Sequence, residues 1–548
     1  MTVEEKVGQL VQVRVIEESD GMPAAKTREM IQAWGVGSVI YYGLKDPAFT
    51  AHYTNQLQEW ARATRLGVPL LVAADLETGL GYHVRGATVF PQQMGVAATG
   101  DVELARTVAR LTAREARAVG THWIYSPLAD VNVNASNPVI GVRAFGDSPE
   151  QVGAFVRAYV EGYEQAGVLA TPKHYPGHGD TAWDSHLTMP RVGYDLKTLR
   201  DVHLRPFADA FRAGASAVMT AHILVEAVDA RHPATLSAAV LTGLLRREQG
   251  FEGIVVTDAM SMGGIAGYFG VEQAATLAVR AGADVVMATG SFQEQRATCE
   301  ALVRAVREGE IPPARLDESV HRVLAAKLRL GLLEKAQVDP VAAARLVGAA
   351  EHQGVALDAA RRSVTLVLNE GPVLPLSRTA RVVVTGALGA RAIAGALGER
   401  GVATVFHPTP AATWNNRFEP SEAEVAEAVH LAAGADAVVV TTYSSYEPPL
   451  AEGQVRLVNA VAGSGRPVIV VSVGLPYDVS SLPQAHAFVA TYALNRWGYP
   501  RGEQDDFPPT YARAVAEVLV GELAPVGRLP VSIPGTRFQR GWGLSFSP

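Results

Sequence analysis

Cysteine is almost absent from this chain. Its 548 residues include a single cysteine, Cys299. One thiol cannot form an internal disulfide, and sites that hold a metal with several cysteines are excluded as well. The count leaves the compartment open, because both a cytoplasmic protein and an exported protein without disulfides fit it.

Long apolar runs and basic runs are also missing. No apolar stretch approaches the roughly 20 residues that a membrane helix needs, so we expect no membrane span. Residues 1–6, Met-Thr-Val-Glu-Glu-Lys, contain no apolar signal core. The sequence therefore predicts a cytoplasmic protein. The alternative is an exported protein whose signal peptide has been removed. The net charge of −7 and the lack of a basic run argue against nucleic acid as a partner, and the oligomeric state is left open.

Metal-binding patterns are missing too. The sequence contains none of the helical His-x-x-x-His or Glu-pairing motifs of metalloenzymes. We therefore expect neither a metal nor another cofactor. Metal ligation by His174, His178, His186 and His222 is the alternative.

The chain does contain short β-branched runs that alternate with longer helical patterns. Such an alternation predicts a parallel sheet covered by helices. Eight runs occur in about the first 290 residues, and eight βα units of this length predict a (β/α)8 barrel of the TIM type. The predicted strands are Gly8 to Val13, Val36 to Tyr42, Pro69 to Asp75, His122 to Asp130, Val168 to Lys173, Ala215 to His222, Gly253 to Asp258 and Ala283 to Thr289. Predicted helices between them include Asp101 to Ala118, Pro149 to Ala166, Lys197 to Ala213 and Val271 to Ala281.

The composition changes after a predicted helix from Asp317 to Leu330, which we expect to close the barrel. The stretch from Glu334 to Ala356 is rich in alanine and is predicted to be helical. New strand and helix patterns follow, which predict a smaller C-terminal α/β layered sandwich domain. The predicted division is 1–335 for the barrel, 336–360 for a linker and docking helix, and 361–548 for the sandwich. Its predicted strands are Val364 to Leu368, Arg381 to Thr385, Ala403 to Phe406, Ala437 to Tyr443, Pro467 to Val473 and Ala487 to Tyr492, and its helices include Ser421 to Ala433, Gly453 to Ala462 and Tyr511 to Gly521.

The densest cluster of titratable groups lies in residues 173–186, Lys-His-Tyr-Pro-Gly-His-Gly-Asp-Thr-Ala-Trp-Asp-Ser-His. These fourteen residues contain three His, two Asp and one Lys. They follow a short apolar run and contain Pro176, Gly177 and Gly179, a pattern typical of a strand that ends in a loop. A polar surface loop is the alternative, but such a cluster on a loop favours a functional site.

Ionisable residues collect where the predicted strands end. Barrel enzymes place their chemistry at the C-terminal ends of strands, so this clustering favours a single active site. The residues concerned are Asp75, Asp130, Lys173, His174, His222 and Asp258.

Two motifs suit a nucleophile and a proton donor. Asp258 ends a strongly apolar strand without a basic neighbour in sequence, which suits a carboxylate nucleophile, and capping of the next helix is the alternative. Asp184 lies two residues before His186, so on an extended loop it can bond one imidazole nitrogen and support the imidazolium. An imidazole with a pKa near roughly 6.5 can donate and recover a proton near neutral pH. A solvated loop histidine is the alternative for His186.

Further residues carry groups suited to sugar hydroxyls. Lys173, His174 and Arg143 supply donors, and Asp75 can accept from two neighbouring hydroxyls. Salt bridges at the surface or at strand ends are the alternative for each. A carboxylate nucleophile, a proton donor and polyol-binding groups together predict glycosyl transfer to water.

The motifs resemble those of glycoside hydrolase family 3, and within it those of the β-N-acetylglucosaminidases of bacterial cell-wall recycling. In the family's order the barrel part shows KHYPGHG at 173–179, DSH at 184–186, AH at 221–222, PATLS at 233–237 and TDAMSM at 257–262. Residues 363–376, with GRLP at 527–530, resemble the family's second domain. The likeness covers nearly the whole chain.

This resemblance implies a retaining double displacement that removes terminal β-linked N-acetylglucosamine from muropeptide or chitooligosaccharide fragments. It implies that Asp258 is the nucleophile, that His186 is the acid/base group and that Asp184 is the partner of His186. The sugar-binding roles that it implies fall on Asp75, Arg143, Lys173, His174 and His222.

The family has a second branch, the β-glucosidases, which usually takes its acid from a Glu of the second domain and commonly shows Asp-Trp at the nucleophile. Here Ala259 follows Asp258, which favours the acetylglucosaminidase branch. Two departures concern the sugar site: residues 76–80, Leu-Glu-Thr-Gly-Leu, replace a Glu-Gly-Gly turn, and Ala259 replaces a second acid. The alternatives are a β-glucosidase or β-xylosidase with Glu447 or Glu452 as the acid, and a catalytically silent sugar-binding protein.

Overall fold

The computed structural model describes residues 1–386, 388–409, 419–444, 450–494 and 507–547. They divide into two compact units. The first contains Met1–Thr88, Ala105–Val131 and Pro149–Ala349, and the second contains Val89–Leu104, Asn132–Ser148 and Ala350–Pro548. Each unit alternates strands with helices, which confirms the prediction of two α/β domains. Within the described residues no helix combines the length and the hydropathy needed to span a bilayer.

The first unit contains a strand for each of the predicted runs. Its strands are β1 (Val11–Arg14), β2 (Ser38–Ile40), β3 (Leu71–Ala74), β4 (Trp123–Ile124), β5 (Leu169–Ala170), β6 (Arg191–Val192), β7 (Ala217–Met219), β8 (Leu224–Val225), β9 (Ile254–Val256) and β10 (Val286–Ala288). Six of them form a parallel sheet in the order β10-β1-β2-β3-β4-β5. All residues of β3 are buried, as expected for a parallel strand with both faces covered.

The remaining strands of this unit form two parallel pairs, β7 with β9 and β6 with β8. Two isolated parallel bridges lie beside the β7–β9 pair. One joins Tyr175, which follows β5, to Thr220, which follows β7, and the other joins Val256 of β9 to Val285, which precedes β10. Backbone pairing therefore continues on both sides of this pair.

Helices alternate with these strands along residues 1–363, and those within 89–104 and 132–148 and from Ala350 onward belong to the second unit. The α-helices are Val3–Gln9, Ala25–Trp34, Pro47–Arg62, Gln93–Ala98, Val102–Ala118, Pro149–Gln165, Leu196–Thr198, Arg205–Arg212, Gly263–Phe269, Val271–Ala281, Phe292–Arg307, Pro313–Arg329, Pro340–Leu346 and Ala350–Ser363. Short 3-10 segments are Leu80–Tyr82, Gly141–Arg143 and Ala234–Leu236, and π-helical segments are Leu199–His203 and Ala239–Glu248.

A hydrophobic core lies among the strands of the first unit. Its members come from seven strands, from positions beside them and from the helix Pro313–Arg329, and include Ile40, Leu71, Trp123, Leu169, Ala217, Ile254, Met287 and Val323. That helix begins a turn earlier than the predicted Asp317. Its Val320 and Val323 are buried, whereas Leu328 is 59% exposed.

Two helical predictions need correction. Residues 334–339 are not helical, and Pro340–Leu346 and Ala350–Ser363 are separate helices. Asp339 caps the first of these helices, and Pro340 is its first residue. Gly348 lies between the two helices at φ +71°, a conformation that residues other than glycine rarely adopt. The predicted helix from Lys197 to Ala213 is divided by a π-helical segment before Pro206, which has no N–H to continue an α-helix.

The second unit is built on one six-stranded sheet. Its strands are β11 (Thr365–Asn369), β12 (Arg381–Gly386), β13 (Ala403–Pro408), β14 (Ala437–Thr442), β15 (Val468–Ser472) and β16 (Ala487–Ala490). The order is β11-β16-β15-β14-β12-β13, and only β11 runs antiparallel to its neighbour. Its helical segments are Ala390–Gly398, Glu422–Ala433, Glu452–Ala462, Pro509–Leu519 and the 3-10 segment Pro476–Ser481.

Both faces of this second sheet are covered. Val382 and Val384 belong to one core cluster, and Val383 between them belongs to another. Since side chains alternate between the faces of a strand, the two clusters lie on opposite faces. The predicted boundaries at 335 and 360 stay a prediction.

Candidate active site

Lys173, three residues beyond β5, forms the centre of a buried ionic group. Its ammonium lies 2.7 Å from Asp75 Oδ1 and 2.9 Å from Glu77 Oε1. Lys173 and Glu77 are both only 2% exposed, and the Asp75 side chain keeps 26% exposure. Ion pairs with two carboxylates thus compensate the charge of the buried ammonium and fix its position, while Asp75 remains accessible.

The Glu77 interaction is one that sequence reasoning missed, and His83 is another missed neighbour. Burial lowers the pKa of His83 to about 4, although the charges of Asp75 and Glu77 oppose the shift. His83 is therefore a neutral imidazole beside the ionic group at neutral pH.

Asp130 organises the first two histidines of the loop. It is fully buried and accepts hydrogen bonds from the backbone N–H of His174 and of His178, at 3.2 and 2.6 Å. His174 Nδ1 lies 2.8 Å from Asp130 Oδ2. Burial raises the pKa of the Asp130 carboxyl, but the charges and hydrogen bonds of the two histidines outweigh burial and lower it. The ionised Asp130 accepts the Nδ1 proton of His174 and so orients that ring.

His178 ties the loop to itself. Its Nδ1 lies 2.7 Å from Thr181 Oγ1, and its Nε2 lies 2.9 Å from Ser185 Oγ. The Thr181 hydroxyl donates to the His178 carbonyl at 3.1 Å, so it accepts from Nδ1 of the ring, and Ser185 then donates to Nε2. Burial lowers the pKa of His178 to about 4, which keeps the ring neutral in this arrangement.

The hydrogen bond predicted for Asp184 and His186 is present. Asp184 Oδ1 accepts from His186 Nδ1 at 2.7 Å and from the His186 backbone N–H at 2.8 Å. The His186 side chain is 36% exposed and that of Asp184 is 10% exposed. Burial raises the pKa of Asp184, but its bonds to His186 outweigh burial and lower it. Asp184 is thus an anion bonded to Nδ1 of the His186 ring, a contact that fixes the orientation of the imidazole.

Asp258 follows β9 by two residues and is half-buried. Its Oδ1 accepts from the Ala259 N–H at 2.7 Å. Burial raises its pKa, but the charges of His222, His174 and His186 and the Ala259 N–H outweigh burial and lower the pKa to about 2. The alternative of a helix cap is wrong, because the next helix begins at Gly263 with Met262 before it.

His222 holds the backbone beside Asp258. Its Nε2 donates to the Ala259 carbonyl at 3.1 Å, and its Nδ1 lies 2.8 Å from Thr235 Oγ1. Burial lowers the pKa of His222, although the charge of Asp258 and the bond to the Ala259 carbonyl oppose the shift, and the Thr235 hydroxyl donates to the Ala221 carbonyl at 2.9 Å. The sugar contact stays a prediction, but both ring nitrogens already have protein partners.

Tyr42 is a further neighbour that sequence reasoning missed. Desolvation and the negative charges of Asp75 and Asp258 raise its pKa, so the phenol lies near both carboxylates. Its ring is 36% exposed, and the Arg14 guanidinium lies 5.7 Å from the ring centroid. Tyr42 and Arg14 lie at or just past the ends of predicted strands, so the strand-end rule applied to all eight strands would have found them.

The loop that carries Asp184 and His186 is bonded to the chain beyond Asp258. The Gly263 N–H donates to the His186 carbonyl, and the Gly264 N–H donates to the Ser185 carbonyl, each at 3.0 Å. A Cβ on Gly264 would lie 2.7 Å from the Ser185 carbonyl oxygen and 2.8 Å from that of Thr188. The close approach therefore requires glycine.

The other predicted residues lie elsewhere or outside the described part of the chain. Arg143 is in the second unit, where its Nη1 donates to the Val139 carbonyl at 3.1 Å, and its sugar contact stays a prediction. Glu452 is the exposed first residue of the helix Glu452–Ala462. Glu447 lies outside the described residues. In the described ranges no group of three or more His, Cys, Asp or Glu side chains is placed to hold a metal ion.

The structure thus combines an ionised carboxylate at a strand end, an Asp–His pair on a loop and a fixed ammonium group, chemistry that suits the hydrolysis of a glycosidic bond. Residues 2–326 match the N-terminal domain of glycosyl hydrolase family 3, and residues 364–541 match its C-terminal domain. The chain belongs to glycosyl hydrolase family 3, and the resemblance seen in the motifs is confirmed.

Two similar proteins cover nearly all of the chain, and a third covers about half of it. Beta-hexosaminidase A of Pseudoalteromonas piscicida is 29% identical and covers 92% of this chain and 90% of its own length. The beta-N-acetylglucosaminidase/beta-glucosidase of Cellulomonas fimi is 35% identical over 57% of this chain and 56% of its own. The solved structure of a glycoside hydrolase family 3 beta-N-acetylglucosaminidase from Paenibacillus sp. str. FPU-7 has a TM-score of 0.87 and 34% identity, with 98% of this chain and 100% of that chain covered.

Proposed function

We propose that the protein is a retaining exo-β-N-acetylglucosaminidase that removes terminal β-linked GlcNAc from muropeptide or chitooligosaccharide fragments. The observation that carries the proposal is the 2.7 Å bond between Asp184 and His186, on a loop bonded to the segment that follows the ionised Asp258. The names of the relatives from Pseudoalteromonas piscicida and Paenibacillus support the same substrate class.

In the first step the Asp258 carboxylate attacks C1 of the terminal sugar, and the bond from C1 to the leaving oxygen breaks. The His186 imidazolium gives its Nε2 proton to that oxygen, while Nδ1–H stays bonded to Asp184. The products are a glycosyl ester on Asp258 and a free alcohol. The low pKa of Asp258, about 2, keeps the nucleophile ionised at neutral pH.

In the second step the neutral His186 takes a proton from water, and the water oxygen attacks C1. The bond from C1 to Asp258 breaks, and the carboxylate is restored. Two inversions at C1 leave its configuration unchanged. Asp184 stabilises the imidazolium that forms again, as a buried carboxylate does beside a catalytic imidazole.

The sugar is held on the other side of C1 in this proposal. Lys173, fixed by Asp75 and Glu77, donates to a hydroxyl, and Asp75 accepts from one. His174, oriented by Asp130, offers Nε2. Because these groups are positioned before substrate arrives, binding does not have to order them.

The proposal includes a closed (β/α)8 barrel as the frame of the site. Eight strands in the expected chain order support it, and so do the parallel bridges Tyr175–Thr220 and Val256–Val285 on either side of the β7–β9 pair. A closed barrel brings the strand ends that carry Asp75, Lys173 and Asp258 around one opening.

A second candidate is a β-glucosidase or β-xylosidase, which the double name of the Cellulomonas fimi relative favours. The test is a panel of nitrophenyl β-GlcNAc, β-glucoside and β-xyloside, assayed with the parent protein, His186→Ala, Asp258→Asn, Glu447→Gln and Glu452→Gln. We expect preference for β-GlcNAc, loss of nearly all turnover in Asp258→Asn and a loss of about 10²- to 10⁴-fold in His186→Ala. Glu452→Gln should be as active as the parent.

Other outcomes point to the alternatives. A strong preference for the glucoside or the xyloside contradicts the proposed substrate. Turnover abolished in Glu447→Gln or Glu452→Gln but kept in His186→Ala supports the glucosidase-type acid. Hydrolysis unchanged in Asp258→Asn would mean a silent sugar-binding protein or an enzyme that works through other residues.

A further inference from the structure

Exposed apolar side chains collect around the loop that carries the Asp184–His186 pair. Trp183 is 65% exposed and Leu187 is 75% exposed. Tyr268 is 57% exposed, and its hydroxyl lies 3.0 Å from Thr188 Oγ1 of the same loop. An exposed apolar patch beside a polar site indicates a binding surface.

These outward side chains do not hold the loop in place. The loop is held by polar bonds on its inner side, from His178 to Thr181 and Ser185, and by the bonds from Gly263 and Gly264 to its carbonyls. Ser185 is 2% exposed. The apolar area of Trp183 and Leu187 is therefore left for something outside the protein fold.

The position of His186 on the same loop indicates which ligand the exposed side chains of Trp183 and Leu187 contact. On the proposed function, on which this inference rests, His186 Nε2 comes within about 3 Å of the leaving oxygen. The leaving group extends from that oxygen away from the sugar held by Lys173 and His174, and the exposed side chains of Trp183 and Leu187 flank His186 in sequence on the same loop. The ring C–H bonds of a β-linked pyranose present a flat apolar face, which an exposed indole can cover.

We propose that Trp183, together with Leu187 of the same loop, forms the binding surface for the leaving sugar of a β-linked oligosaccharide. The preferred substrates then have a pyranose ring, and not a small alkyl group, next to the bond that is cleaved. Trp183 acts as a specificity-determining residue, and its contact exists only until the first chemical step, because the leaving sugar departs there.

The test compares the disaccharide GlcNAc-β-1,4-GlcNAc with methyl β-GlcNAc in the parent, Trp183→Ala and Trp183→Phe. The ratio of the two kcat/KM values is the readout, because kcat/KM covers the steps up to departure of the leaving group. Trp183→Ala should lose about tenfold more on the disaccharide than on the methyl glycoside, and Trp183→Phe should recover most of that ratio. Leu328→Ala, on the helix Pro313–Arg329 and also exposed at 59%, is the control and should match the parent on both substrates.

An equal loss on both substrates overturns the inference, because it shows that Trp183 acts only through the shape of the loop. An unchanged ratio in Trp183→Ala overturns it as well. If the parent prefers glucosides, the proposed function has failed separately, and the same ratio is measured with cellobiose and methyl β-glucoside. If the ratio of these two kcat/KM values falls in Trp183→Ala, the proposed binding surface for the leaving sugar is still supported. A parent that cleaves none of the four substrates overturns both.

Discussion

The loop of residues 178–188 carries His186, the proposed proton donor, and is called the acid/base loop. Its glycine contacts with the helix Gly263–Phe269 give a sharp test of how His186 is held. In Gly264→Ala the new Cβ would lie 2.7 Å from the Ser185 carbonyl oxygen and 2.8 Å from that of Thr188. Ordinary carbon contacts are about 3.5 Å, so these carbonyls must move by roughly 0.7 Å. Ser185 adjoins His186, and a displacement of that size in a catalytic group costs about 10²-fold in rate.

The assay separates the proton donor from the nucleophile. Methyl β-GlcNAc needs a proton on its leaving oxygen, whereas 2,4-dinitrophenyl β-GlcNAc releases a stable anion and needs little protonation. Gly264→Ala should therefore lose about 10²-fold in kcat/KM on the methyl glycoside and much less on the dinitrophenyl glycoside. A loss of kcat/KM confined to the methyl glycoside, which has the poorer leaving group, means that protonation of the leaving oxygen is impaired.

The same helix supplies the control. Gly267 has nothing within 4 Å of its Cβ position, and alanine there should stabilise the helix slightly. Gly267→Ala should match the parent on both substrates. Equal losses on the two glycosides in Gly264→Ala would refute the reasoning, and so would full activity on the methyl glycoside.

Three further outcomes are expected. Burial lowers the pKa of Lys327, whose ammonium donates to Gln9 Oε1 at 2.7 Å, to about 7. Because the unfolded chain binds this proton more tightly, the free energy of unfolding should rise from pH 7 to pH 9 by on the order of 2 kcal/mol, and urea unfolding of Lys327→Met should lack that rise. Asp284→Asn should lower the stability of the fold by about 3–5 kcal/mol, because Arg246, Arg315 and Arg322 surround this fully buried carboxylate; a melting temperature equal to that of the parent would contradict this. At high phosphate we expect some GlcNAc 1-phosphate among the products, since the neutral His186 repels an anion less than a carboxylate would; its absence by mass spectrometry would rule this out.

Short-range patterns predicted the strands well, because buried parallel strands need runs of apolar residues that are visible in sequence. Each of the eight runs contains a strand of the first unit. The strand-end rule then brought together residues as distant in sequence as Asp75 and Asp258, which both raise the pKa of Tyr42. The Asp184–His186 bond was predicted from spacing on an extended loop, and it is present, but residues 185–187 form a turn in which Asp184 Oδ1 also accepts from the His186 backbone N–H.

The rest depended on packing over long distances, which local patterns do not report. Glu77 is a loop residue in sequence, and only the fold puts its carboxylate 2.9 Å from Lys173. Tyr42 looked like the apolar end of a strand. Segments 89–104 and 132–148 interrupt the first unit yet pack with the second. Propensity also favoured a continuous helix over 334–356, but Pro340 and Gly348 set its limits.

The backbone and polar side-chain bonds that hold the acid/base loop have a consequence for the evolution of the enzyme. His178 bonds Thr181 and Ser185 within the loop, and two glycine N–H groups anchor it from outside. The exposed side chains of Trp183 and Leu187 take no part in these hydrogen bonds. On the proposed function, mutations at these two positions would alter which leaving group is accepted while His186 keeps its place, so selection could act on substrate range and on chemistry independently.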